Sequence, residues 1–118
     1  MISGIQSALS GLQAYSLATE ATANNIANVN TNGFKKDRVT LSAQSPQGVS
    51  ATVVDKVDTP GDYAVESTSQ GDQMVEQSNV DIGQEMTSLM INKAAFSANI
   101  KSLQATDQMM QSLLDIKA

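Results

Sequence analysis

Without histidine or cysteine, the general bases of this sequence are its carboxylates, among them the scattered Asp55, Asp58, Asp62, Glu66, Asp72, Glu76, Asp81 and Glu85. General acid–base work needs two such groups converging on one site, and no pair here has a spacing that demands it. Asp81 with Glu85 comes nearest to an ion site, but the Asp-x-Asp-x-Asp-Gly frame of a calcium loop is missing, and a helix cap explains Asp81 better. The lack of cysteine excludes disulfides and thiolate metal ligands. Met74, Met86, Met90, Met109 and Met110 read as adaptable apolar filler of a core or interface rather than as ligands. No catalytic residue, no cofactor and no metal site is expected.

The amides are more informative. Asn24, Asn25, Asn28, Asn30 and Asn32 crowd the stretch Ala23-Asn24-Asn25-Ile26-Ala27-Asn28-Val29-Asn30-Thr31-Asn32-Gly33-Phe34-Lys35-Lys36, where an apolar-periodic segment stops. Asparagine competes for nearby backbone groups and tolerates left-handed angles, so it favours a helix end and a turn. Gly33 can take positive φ without a Cβ clash, and Lys35, Lys36 and Arg38 are the first basic residues of the chain. A plain helix C-terminus followed by a turn would account for these residues taken alone.

The same stretch strongly resembles the signature near the N-terminus of the bacterial flagellar axial proteins, the rod, hook and hook-associated family. Asn25-Ile26-Ala27-Asn28 followed by Thr31, Asn32, Gly33 and the aromatic Phe34 carries the likeness. A second match is Asn79-Val80-Asp81-Ile82-Gly83-Gln84-Glu85-Met86 with the long helical pattern after it. The resemblance covers roughly residues 1–38 and 76–118 and leaves the middle unaccounted for.

Composition narrows the class. At 118 residues the chain has room for one small domain. Tyr15, Phe34, Tyr63 and Phe96 are its aromatics, there is no Trp, and Ala, Ser, Asn, Gln and Thr dominate. That composition suits either a partly disordered chain or one whose helices are buried by copies of itself and by partners, and the two terminal periodic segments favour the second. A net charge of −5 argues against nucleic acid, which calls for a clustered basic face. No run of apolar residues is long enough to span a membrane, and the start lacks the basic and apolar regions of a cleaved signal peptide. No direct membrane insertion is expected, and any export would use a route that reads no such signal.

The elements follow from periodicity. Ile2, Ile5, Leu9 and Leu12, continued through Ser16 and Thr19 to Ala23 and Ile26, trace a seam and predict a helix from about Ser3 to Val29. Val39, Leu41 and Ala43, the turn Ser45-Pro46-Gln47-Gly48, and Val49, Ala51, Val53 and Val57 predict a β-hairpin. Thr59-Pro60-Gly61-Asp62 is a second turn, and Glu66 to Gln73 reads as a polar loop. From Asp81 onward Ile82, Met86, Leu89, Phe96, Ile100, Leu103, Met110 and Leu114 form a heptad seam broken at Lys93 and Asp107. Its polar face is built of uncharged residues such as Asn92, Ser97, Asn99, Gln104 and Gln108, which can be buried at low cost when paired, so both faces are expected to meet protein.

The expected architecture is mainly α: antiparallel N- and C-terminal helices forming a coiled-coil-like hairpin, with a small β-hairpin and loop middle. Residues 1–36 and 79–118 would make one helical unit and 37–78 the middle. The resemblance implies a non-enzymatic structural subunit of the flagellar basal-body rod, assembled helically with copies of itself and other axial proteins after type III export without a cleaved signal. A hook or hook-associated protein is the alternative within the family, and a soluble coiled-coil regulatory or chaperone-like protein outside it. An amphipathic membrane-surface protein fits less well, because its helix would want flanking Lys and Arg. The residues expected to carry the motif and the contacts are Asn24, Asn25, Ile26, Ala27, Asn28, Asn32, Gly33, Phe34, Met86, Leu89, Phe96, Ile100, Leu103, Met110 and Leu114.

Overall fold

An Ala- and Ser-rich opening with no proline forms α1, Ile2–Ala27. It ends where asparagines take over the last carbonyls: the Asn28 amide N–H donates to the Asn24 and Asn25 oxygens at 3.2 Å each, and Asn28 Nδ2 donates to the Asn24 oxygen at 2.9 Å. After it come β1 (Arg38–Ala43), β2 (Val49–Val54), β3 (Tyr63–Thr68), β4 (Gly71–Glu76) and α2 (Ile82–Lys117). A computed structural model describes residues 2–54 and 56–117, whose extents are 80 × 23 × 19 Å; Asp55, named among the carboxylates, lies outside them. Asp81 caps α2, accepting from the Gly83 and Gln84 amides at 2.9 and 3.3 Å.

The two helices touch in reverse order along their lengths. Asn25 of α1 bonds to Glu85 in the first turn of α2, Gly11 lies against Asn99, and Ile5 shares a groove with Leu103 and Met110. At 36 against 26 residues, α2 is longer by about 15 Å. What α1 buries is a row of small and polar residues, Ala8, Gly11, Ala14, Ala18, Thr22 and Asn25, with Thr106 buried on α2. The larger Ile2 and Leu9 of the expected seam stay exposed, whereas Ile5, Leu12 and Ile26 are half-buried.

On α2 the row facing α1 is turned by one residue from expectation. Leu89, Phe96, Leu103 and Met110 are half-buried as the heptad requires, but the alternating positions are Glu85, Asn92, Asn99 and Thr106 instead of Met86, Lys93, Ile100 and Asp107. The small row on α1 is the physical reason. A Cβ added at Gly11 would stand 2.8 Å from both polar atoms of the Asn99 side chain, so the glycine admits that amide at close range. Lys93 and Asp107 thereby stay exposed at the edges of grooves they share with Ala23 and Ile5 of α1, and Ile82, Met86 and Leu114 are more than half exposed or nearly so.

The middle holds two hairpins where one was expected. β1 pairs with β2 antiparallel from Arg38↔Val54 to Ala43↔Val49, and the pair lies on α1. Ser10 fastens it, its hydroxyl accepting from the Val49 amide at 3.1 Å and donating to the Ser7 carbonyl at 2.8 Å. Residues 66–73, read from sequence as a loop, belong to a second hairpin with Val65↔Met74 and Thr68↔Gly71 in register around Ser69-Gln70. Both of its faces are largely exposed, so burial leaves no alternation to read. Side-chain bonds support it instead, Ser67 Oγ to Asp72 at 2.6 Å and Thr68 Oγ1 to the Gly71 carbonyl at 2.8 Å.

Candidate functional site

Long-range side-chain hydrogen bonds concentrate where the end of α1, the start of β1, the segment before β3 and the start of α2 converge. Asn25 is 1% exposed and makes three bonds there. Its Nδ2 donates to the Asp37 carbonyl at 2.9 Å and to Glu85 Oε2 at 3.2 Å, and its Oδ1 accepts from the Asp37 amide at 2.8 Å. One side chain thus ties α1 to the entry of β1 and to the first turn of α2. Buried, fully paired amides of this kind fix geometry, because each bond lost leaves a desolvated group behind.

Asn79 does the same work one layer out. Its Oδ1 accepts from the Lys36 amide at 2.8 Å, its Nδ2 donates to the Val57 and Thr59 carbonyls at 2.7 and 2.9 Å, and its own amide donates to the Phe34 carbonyl at 3.2 Å. The Val57 amide donates to the Lys36 carbonyl at 2.9 Å, which closes the loop. Gly61 fits because it has no side chain: an added Cβ would stand 2.1 Å from the Gln77 carbonyl oxygen.

Glu76 is the charged member. Its Oε1 pairs with Lys35 Nζ and accepts from the Gly61 amide at 2.9 Å, while Lys35 also donates to the Thr59 carbonyl at 3.1 Å. The Lys35 hydrogen bond, then the Gly61 amide, hold the Glu76 carboxyl below the usual glutamate range. Gly33 turns the chain with φ of 69° in open space, and its amide donates to the Glu76 carbonyl at 2.8 Å. Asn32 Nδ2 donates to Glu66 Oε1 at 2.7 Å, so β3 and β4 are both moored to this turn. Lys56 Nζ stands 5.5 Å from the centre of the Phe34 ring.

Of the residues singled out by sequence, Asn24, Asn25, Asn28, Asn32, Gly33 and Phe34 come together at this junction, Asn24 reaching Asp37 Oδ2 at 3.3 Å. Ile26 is half-buried and Ala27 exposed on the same turn. Leu89 and Phe96 line an apolar groove with Thr19 and Ala23, and Leu103 and Met110 one with Ile5. Met86, Ile100 and Leu114 stand exposed on α2. Sequence reading passed over Asp37, Glu76 and Gly61 as site members. Asn79 stood in the second motif, Gly61 only in the Thr59-Pro60-Gly61-Asp62 turn, and Glu76 only among the scattered carboxylates.

The arrangement positions chain segments against one another. No buried side-chain polar atom among the described residues lacks a partner, and no cluster of metal-ligating groups occurs among them. Charge is unevenly placed. All of the net −5 resides between Lys35 and Glu85, since outside that span Glu20, Asp107 and Asp115 balance Lys93, Lys101 and Lys117. No helix among the described residues is long and apolar enough to cross a membrane. Apolar surface is instead displayed along α2, where Met90 and Ile91 and, farther on, Met109, Leu113 and Ile116 are 51–83% exposed.

Two family comparisons coincide with this geometry. Residues 5–35, α1 and its asparagine turn, match the family described as flagella basal body rod protein. Residues 72–116, which begin in β4 and take in Glu76, Asn79 and α2, match flagellar basal body rod FlgEFG protein C-terminal. The flagellar hook protein FlgE of Caulobacter vibrioides is 34% identical over 77 residues, covering 60% of this chain and 13% of that protein.

Proposed function

The chain belongs to the bacterial flagellar axial proteins, the rod and hook family, and we propose that within it the chain is a structural subunit of the basal-body rod. α1 and α2 act as a coiled-coil-like hairpin that packs helically against copies of itself and other axial proteins; the chain reaches that place through the type III export apparatus and stays in the periplasm-spanning rod. Residues 1–36 with 79–118 form the packing unit, and residues 37–78 the outward middle. It performs no catalysis. The observation that carries the reading is the pairing of two rod-family matches through one polar junction, with only residues 36–71 between the matched segments.

The exposed apolar residues of α2 support packing against further subunits, since a soluble monomer gains nothing by displaying them. The likeness to a hook protein keeps a hook subunit as the second reading, against which the short internal middle weighs. The test is peptide mass spectrometry on purified hook–basal bodies. Retention of the chain after the hook is sheared away supports a rod subunit, loss together with the hook supports the second reading, and absence from both fractions rejects the two.

A further inference from the structure

Asn32 is followed by glycine, and no other asparagine of the chain is. An Asn-Gly peptide can rearrange without an enzyme. The deprotonated Gly33 nitrogen attacks Asn32 Cγ, a nitrogen–carbon bond forms, and Nδ2 leaves as ammonia with the proton. Water then opens the five-membered imide at either carbonyl and yields aspartate or isoaspartate at position 32. Glycine permits this because no side chain shields the nitrogen, and an added Cβ at Gly33 would meet nothing within 4 Å.

Two contacts restrain both reacting groups in the folded chain. The Gly33 N–H, which must lose its proton, is donated to the Glu76 carbonyl at 2.8 Å. The Asn32 amide, which must swing its Cγ over that nitrogen, is held by Glu66 Oε1 at 2.7 Å. Both restraints come from the β3–β4 hairpin, which among the described residues packs on neither helix nor the other hairpin. We propose that Asn32 is a self-modifying site whose conversion is gated by docking of the β3–β4 hairpin on the Asn32-Gly33 turn. Conversion is also self-sealing. A carboxylate at position 32 faces the Glu66 carboxylate where an N–H donor stood, and isoaspartate lengthens the backbone just before the Gly33 N–H that reaches Glu76. A converted chain loses the Asn32–Glu66 mooring of its second hairpin and keeps the Lys35–Glu76 pair. The inference stands apart from the assembly reading and holds or fails whether or not the chain enters a rod.

The full chain is incubated at mildly alkaline pH in buffer and in concentrated urea, and peptide mapping follows aspartate and isoaspartate at position 32. Conversion in buffer is expected to run about tenfold slower or more, since two ordinary hydrogen bonds must open first. Glu66→Ala is expected to speed conversion in buffer and leave the rate in urea unchanged, while Glu66→Gln, which keeps a carbonyl acceptor, stays close to wild type. Asn28 and Asn30, followed by Val29 and Thr31, should remain unconverted in the same digests. Equal rates in buffer and urea overturn the proposal, as does a Glu66→Ala chain that converts no faster than wild type in buffer.

Discussion

The side-chain amide of Asn25 pairs with the peptide of Asp37 as one strand residue pairs with another, donating to its carbonyl at 2.9 Å and accepting from its amide at 2.8 Å. A helix side chain therefore supplies the hydrogen bonding that an adjacent strand would give to the entry of β1. The third bond, to Glu85, carries the tie on to α2.

Removing that amide should loosen three elements at once. Asn25→Ala leaves the Asp37 amide without a partner and is expected to cost about 1–3 kcal/mol. Asn25→Asp should be worse than alanine despite its shape, because it puts a carboxylate against the Asp37 carbonyl and the Glu85 carboxylate. Urea unfolding followed by circular dichroism ranks the pair; aspartate milder than alanine would contradict the bonding described.

Gly33 and Gly61 are both glycines for a reason, and the reasons differ. Gly33 sits at φ 69° with open space around it, so Gly33→Asn should be mild, Gly33→Ala intermediate and Gly33→Val the most damaging, on the order of 1–2 kcal/mol or more. At Gly61 size is what matters. Even Gly61→Ala must push the Gln77 carbonyl aside and should destabilise more than Gly33→Ala. Melting temperatures of the four variants test the order, and Gly4→Ala, with nothing near its new methyl, should stabilise α1 by up to about 1 kcal/mol.

Acid should release the Lys35–Glu76 tie. The folded Glu76 pKa lies below the unfolded one, so as pH falls through the interval between them the unfolded chain binds the proton first. The contribution of the tie to stability is therefore complete above the usual glutamate range and lost as pH drops through the folded value. Glu76→Gln should remove that part of the acid sensitivity. The Gly61 and Gly33 amide resonances, followed in a pH titration, should shift with Glu76 in the wild type and stay still in the mutant over the same interval.

Two substitutions on α2 should part folding from assembly. Leu103 faces α1, so Leu103→Asp buries a carboxylate in the helix pair and lowers the stability of the subunit itself. Met109 is 53% exposed, and Met109→Asp should leave the melt of the isolated chain nearly unchanged while preventing incorporation into the rod. Motility with Met109→Asp at the wild-type level would remove that face from the proposed packing.

Much of this was readable from residues. Helix ends are marked by local chemistry, so the asparagine run and Asp81 placed them to within about two residues, and strict alternation around a Pro-Gly-containing turn placed β1 and β2. The row by which α2 meets α1 was not readable from hydrophobicity, because Ala8, Gly11, Ala14 and Ala18 make a smooth face on which amides such as Asn99 lie as closely as leucine would. β3 and β4 were missed because Tyr63, Val65 and Met74 are exposed at 59–71%, and strands that bury little leave no period. Asp37 gave no sign, and Glu76 none beyond standing among the scattered carboxylates. Their partners stand 12 and 41 positions away, and only the fold brings them together.

Those separations bear on the order of events. Asn25 finds its last partner 60 residues later, and Asn79 binds segments that come 20 to 43 residues before it. A chain leaving the ribosome from its first residue thus makes α1, both hairpins and the ties between them before Asn79 and Glu85 arrive to close the junction on α2. The junction is the last knot tied, and the subunit stays pliable until its final third has been made.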